Sequence, residues 1–97
     1  NSMMPIALKN LIDNAIKFSP NKKAIINANA NKIEIISLGE QLKNELAYYT
    51  EAFSQEEKRS DGFGLGLYIV KTIVNLHGFK LEYKYEDGKN YFIINMK

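Results

Sequence analysis

Three side chains within one short stretch have the types and spacing to hold a cation and phosphate. In residues 10–20, NLIDNAIKFSP, Asn10 and Asn14 stand four apart and Lys17 follows three later. On a helix all three project within about 60° of one another. Magnesium prefers oxygen ligands, few protein groups and several retained waters. One asparagine carbonyl together with polyphosphate oxygens would satisfy it, and a lysine beside the phosphates supplies a compact positive charge. The plainer reading of the same stripe is a solvated polar face, with Asp13 and Lys17 as an ordinary i,i+4 ion pair. Taken alone, the stripe favours that plainer reading.

A second stretch, GFGLGLYIVK at residues 62–71, alternates Gly62, Gly64 and Gly66 with Phe63, Leu65 and Leu67. Glycines let backbone amides approach a ligand closely. A helix starting there offers free N–H groups and a positive dipole end, which suit phosphate. No Gly-Lys-Ser/Thr follows, so this is not a Walker loop. Leu67 stands where a dinucleotide-binding fingerprint needs its last glycine. Alone, the run fits a tight turn that packs a helix closely. The two stretches together imply a metal ion and a polyphosphate held between two helices.

These residues need elements to position them. Pro5 suits the first turn of a helix, and Leu8, Leu11, Ile12, Ala15 and Ile16 recur on one side of it at helical spacing. Ser19-Pro20-Asn21 ends that helix, because a residue before proline avoids the helical region. Residues 24–30 and 32–37 read as two strands joined by an Asn-rich turn, and residues 41–53 as a segment holding a short helix. Residues 54–61, SQEEKRSD, read as a charged loop. A second helix runs over residues 65–77 and is terminated by Gly78. Strands at 80–85 and 91–96 flank Glu86-Asp87-Gly88-Lys89, a hairpin signal. His77, the single histidine, falls on the apolar side of its helix end and reads as a packing or capping residue. Tyr83, Tyr85, Tyr91 and Phe92 alternate and read as sheet packing. The order predicts an α+β fold: a two-layer sandwich with helices on one face of a mixed, mainly antiparallel sheet.

The bulk numbers set limits. Ninety-seven residues, 45% hydrophobic and 25% charged, make one domain with one core. A net charge of +2 gives no ground for a nucleic-acid or membrane partner. With no cysteine, disulfides and thiolate metal sites are excluded. No apolar run reaches membrane-spanning length. Asn1 and Ser2 read as cloning residues, and the chain reads as one unit, 1–97, excised from a longer protein.

The two stretches also carry a family likeness. NLIDNAIKF resembles the N box of two-component sensor histidine kinases, GFGLGLYIVK resembles their G2 box, and YTEAF at residues 49–53 resembles the F box between them. Order and spacing agree over nearly the whole chain. The resemblance implies the catalytic, ATP-binding domain of such a kinase, with the Bergerat ATP-binding fold. It implies Asn14 as the magnesium ligand, Asn10 as support one turn earlier, Lys17 on phosphate and Phe18 against the adenosine. Gly62, Phe63, Gly64, Leu65, Gly66 and Leu67 would form the lid hinge and phosphate cradle. The lid spans about residues 54–64, and Lys58 or Arg59 would reach the triphosphate from it. Related ATPases of this fold use a glutamate one turn before the metal asparagine to activate water. Asn10 stands there and cannot act as a general base. That fits transfer to a protein side chain, with catalysis resting on positioning and charge neutralisation.

One departure concerns the base. The family's G1 box, Asp-x-Gly-x-Gly, is best matched by Ser37-Leu38-Gly39-Glu40-Gln41. Serine replaces the adenine-binding aspartate and one glycine survives. A hydroxyl still accepts a hydrogen bond, but without the charge that strengthens one by about 1 kcal/mol or more. Weak or altered purine selectivity is expected.

The resemblance further implies Mg-ATP as the ligand and γ-phosphoryl transfer to a histidine on a separate helical dimerisation domain. Relay to an aspartate on a response regulator would follow. It implies a membrane-anchored bacterial homodimer with this part cytoplasmic. Two alternatives stand: a degenerate, non-catalytic module of the same fold that regulates or docks a partner, and an anti-sigma-type serine kinase.

Overall fold

The computed structural model describes residues 3–50 and 66–97. Among the described residues seven elements follow in chain order: α1 (Met4–Phe18), β1 (Ile25–Ala28), β2 (Lys32–Leu38), α2 (Leu46–Thr50), α3 (Gly66–Leu76), β3 (Lys80–Glu86) and β4 (Lys89–Asn95).

Local chemistry sets most of these boundaries. Pro5 occupies the first turn of α1, and Ser19 leaves the helical region at ψ 130° ahead of Pro20. Lys22 Nζ donates to the Lys17 carbonyl at 3.2 Å, satisfying one of the orphan acceptors at the helix end. At the end of α3, Gly78 takes φ +75°. Its N–H donates to Asn75 O at 2.9 Å, and the Phe79 N–H donates to Val74 O at 3.0 Å. That pair of bonds is the Schellman closure. Asp87 (φ +53°) and Gly88 (φ +75°) both sit in the left-handed region. This is a two-residue type I′ turn, whose twist matches the flanking strands.

The four strands form one sheet in the order β1-β2-β4-β3. All three pairings among the described residues are antiparallel. Central β2 and β4 pair over their full lengths, with Ile33 opposite Ile94, Ile35 opposite Phe92 and Ser37 opposite Asn90. Alternation along these strands sends Ile35, Phe92 and Ile94 towards the helices. They meet Ala7, Leu11 and Ala15 of α1, Leu67, Val70, Ile73 and Val74 of α3, and Tyr49 of α2 in one core cluster. Burying a side chain such as Leu11 contributes about 2 kcal/mol. The expected α+β sandwich is the observed architecture.

Three details differ from the sequence expectation. The buried stripe of α1 is centred on Ala7, Leu11 and Ala15, whereas Leu8 and Ile12 are only partly buried and Ile16 is 38% exposed. Small residues allow the closest approach, so the alanines rather than the bulkiest side chains mark the contact line. Strand β1 is confined to Ile25–Ala28, and all four residues are exposed because it is an edge strand. Asp13 takes Lys9 as its i,i+4 partner, at 2.6 Å.

Candidate functional site

A cavity of about 670 Å³ opens where the end of α1, the segment after β2 and strand β4 converge. Such a volume suits a small-molecule ligand. Asn14, Lys17 and Phe18 reach it from α1, and Ser37 and Gly39 from the end of β2 and the residue after it. Five of the residues singled out from the sequence therefore share one space. Lys17, Lys22 and Lys43 line it against the single carboxylate of Glu40. The wall is thus net positive among the described residues and matches a polyanionic ligand. Lys17 Nζ also lies 5.4 Å from the centre of the Phe18 ring, a cation–π contact.

Asn14 is the joint between the two helices. A Cβ placed on Gly66, the first residue of α3, would stand 3.2 Å from Asn14 Nδ2 and 3.8 Å from its Oδ1. Glycine is what allows this approach. Asn14 Nδ2 is buried and has no hydrogen-bond partner among the described residues. A buried amide N–H donor without an acceptor carries a free-energy cost unless a ligand oxygen, such as one of phosphate, or solvent completes it. No group of three His, Cys, Asp or Glu side chains that could hold a metal exists among the described residues. The oxygen chemistry available at this joint is a neutral amide. That fits a hard divalent cation whose other ligands are water and phosphate.

The remaining sequence candidates fall elsewhere. Asn10 does not line the cavity; its Nδ2 donates to Ile6 O at 3.1 Å, one turn back. Leu67 is fully buried in the core cluster and acts there as packing. Lys58, Arg59, Gly62, Phe63, Gly64 and Leu65 lie outside the described residues, as do most of the F-box residues and the segment expected to form the lid.

The segment after β2 is fixed by residues of the β3–β4 hairpin, of which Tyr83 and Tyr85 read from the sequence only as sheet packing. Gly39 N–H donates to Gly88 O at 3.1 Å, and Tyr85 Oη donates to Gly39 O at 2.9 Å. Asn90 Nδ2 donates to Glu40 O at 3.0 Å, and Leu42 N–H donates to Tyr83 Oη at 3.1 Å. Tyr83 in turn donates to Asn90 Oδ1. Burial raises the Tyr83 phenol above the ordinary tyrosine value, an effect the Leu42 N–H opposes and the neighbouring Tyr85 and Tyr49 reinforce. The phenol therefore remains a donor at neutral pH. Nothing in the sequence marks Lys22, Lys43 or Asn90 as cavity residues, and only the strand register, which sets Asn90 opposite Ser37, reveals the last. His77 does cap and pack: Nδ1 lies 2.8 Å from Ile73 O, and the ring stacks on Phe79.

Fold, cavity and motif order define a nucleotide-binding module of the ATPase type, and comparison with known proteins agrees. Residues 4–97 match the family described as histidine kinase-, DNA gyrase B-, and HSP90-like ATPase. The chain belongs to that family, whose ligand is ATP. It is 34% identical over 95 residues to sensor histidine kinase ArsS of Helicobacter pylori, covering 96% of this chain and 22% of that protein. It is 35% identical over 96 residues to sensor histidine kinase HprS of Escherichia coli K12, covering 92% of this chain and 21% of the relative. Sensor protein QseC of the same strain is 32% identical over 84 residues, covering 84% of this chain and 19% of its own length. The chain thus spans about a fifth of the curated relatives it matches. No helix among the described residues is long and apolar enough to cross a membrane.

Proposed function

We propose that this chain is the catalytic domain of a sensor histidine kinase, a single unit that binds Mg-ATP in the cavity between α1, β4 and the segment after β2. The observation that carries the proposal is the Asn14 side chain, whose Nδ2 is buried without a hydrogen-bond partner among the described residues and lies against Gly66 at the start of α3; Nδ2 would donate to a phosphate oxygen, and Oδ1 would ligate the metal. Asn14 is the magnesium ligand and Lys17 the phosphate contact. Phe18 lies against the adenosine, and Ser37 and Gly39 face the base. Gly66 leaves room for phosphate beside the helix start. Asn10, turned back to Ile6, supports the metal site from one turn away. Magnesium bound at Asn14 would supply charge neutralisation on the phosphate oxygens.

Within the longer protein, the γ-phosphoryl group passes to a histidine on a separate dimerisation helix domain and then to a response regulator. That protein is a membrane-anchored homodimer with this domain in the cytoplasm. The names of the relatives, two sensor histidine kinases and a sensor protein, support the histidine-kinase part of this reading. Asn10 offers no general base, and Asn14 and Lys17 act by holding and neutralising the phosphates.

Calorimetric titration with a non-hydrolysable ATP analogue, with and without magnesium, on wild type and Asn14→Ala, tests the proposal. Binding that requires magnesium and weakens at least tenfold in Asn14→Ala supports it; each tenfold corresponds to about 1.4 kcal/mol. Binding indifferent to both overturns it. Ser37 in place of a carboxylate favours a second reading, a non-catalytic docking module of the same fold. Undetectable nucleotide binding by wild type would select that reading.

A further inference from the structure

We infer that Tyr83 and Asn90 are positioning residues for the nucleotide base, forming a side-chain clip that fixes the 39–42 segment as a wall of the cavity. The inference rests on the Mg-ATP reading and goes further by assigning base recognition to residues outside the sequence motifs. Residues 39–42 belong to no helix or strand, so their backbone groups need partners from elsewhere. The β3–β4 hairpin supplies them. Tyr83 Oη accepts from the Leu42 N–H and donates to Asn90 Oδ1. Asn90 Nδ2 donates to Glu40 O. Two side chains thus tie residues 40 and 42 to each other and to the strand that faces Ser37.

A segment built on Asp-x-Gly-x-Gly would contribute its own carboxylate and two glycines. This chain has Ser37, Gly39 and Gln41 at those positions. The clip holds the segment where fewer of those residues remain. Simple ring packing does not account for the arrangement. The Tyr83 ring packs against Phe92 at 5.0 Å between centroids, which phenylalanine would do equally well. Only the hydroxyl both accepts and donates across the segment, and only an amide at 90 takes one bond while giving another.

The test uses three probes on wild type, Tyr83→Phe, Asn90→Ala and the double variant. The probes are a non-hydrolysable ATP analogue with magnesium, the same analogue without magnesium, and inorganic tripolyphosphate with magnesium. Each single variant should weaken the ATP analogue roughly five- to thirty-fold, as expected for one or two buried hydrogen bonds. The double variant should be little worse than the weaker single, because the bonds form one network. Tripolyphosphate affinity and the ratio of affinities with and without magnesium should stay at wild-type values. The proposal is overturned if Tyr83→Phe and Asn90→Ala bind the analogue as wild type does, or if tripolyphosphate weakens in parallel. A wild type that binds tripolyphosphate but no nucleotide also overturns it, whereas a wild type that binds neither removes the Mg-ATP reading beneath it.

Discussion

Asn14 and Gly66, fifty-two positions apart in the chain, meet so closely that a Cβ on the glycine would stand 3.2 Å from the asparagine side-chain nitrogen. The contact joins the last turns of α1 to the first residue of α3. It makes the orientation of the Asn14 amide depend on the absence of a side chain at 66.

Gly66→Ala should therefore affect ligand binding more than folding. Position 66 is helical and without positive φ, so alanine is conformationally acceptable there. The added methyl requires the Asn14 amide to move by a few tenths of an ångström. The expected change in stability is within about 1 kcal/mol of zero. Magnesium-dependent nucleotide affinity should fall about tenfold, because ligand geometry at a magnesium site tolerates little displacement. Paired melting curves and titrations check this, and a variant with wild-type magnesium dependence would show that the amide has room to adjust.

Ser37→Asp should shift base selectivity. Ser37 is buried, lines the cavity and lies opposite Asn90. A carboxylate there makes a charge-assisted bond to a purine amino group that the hydroxyl cannot match, a gain of about 1 kcal/mol or more. ATP-analogue affinity should rise about five- to tenfold relative to the corresponding guanine nucleotide. The unliganded protein should lose about 1 kcal/mol or more through burial of the charge. If the preference for adenine is unchanged, Ser37 does not occupy the aspartate position of the G1 box.

Much of this arrangement is legible in the chain because local rules dictate it. Pro5 and Ser19-Pro20 bound α1, Gly78 closes α3, and Asp87-Gly88 can do little but turn a hairpin. Asn14 and Lys17 stand out because helical spacing puts them near one end of one element, whereas Phe18 follows only from the family likeness. The sequence does not single out Asn90 and shows Tyr83 only as sheet packing, because their hydrogen-bonding role follows from strand register, a long-range relation that no local window contains. The buried stripe of α1 was displaced for a related reason: Ala7 and Ala15 have little hydrophobic weight of their own and matter only once α3 and the sheet pack against them. The short α2 gave no periodic signal because it is one turn long.

Two glycines should respond differently to alanine. Gly88, at φ +75°, has nothing within 4 Å of a built Cβ. Gly88→Ala should cost about 1–2 kcal/mol through backbone conformation alone, with nucleotide affinity unchanged. Gly39, at φ +154°, adds contacts at 3.3 Å from Phe18 O and 3.5 Å from Asn90 Nδ2. Gly39→Ala should cost at least as much stability and also weaken nucleotide binding severalfold, since both neighbours line the cavity. Equal effects on binding would mean that Gly39 is only a turn residue.

Tyr83 should give the protein an alkaline stability limit. Burial is the largest influence on its phenol and raises its pKa in the folded state above the unfolded value near 10. The folded state therefore holds that proton more tightly. Its contribution is fully present below about pH 10 and is lost as pH rises through the unfolded and then the folded value, where the unfolded chain binds fewer protons than the native one. Ionisation would also replace the O–H donated to Asn90 with a charge facing the amide oxygen. Melting temperature followed from pH 9 to above pH 11 should fall more steeply for wild type than for Tyr83→Phe, which has no proton to lose. The difference between the two curves isolates Tyr83. Parallel curves would mean that the phenol is solvated well enough to ionise without cost and does not hold the 39–42 segment.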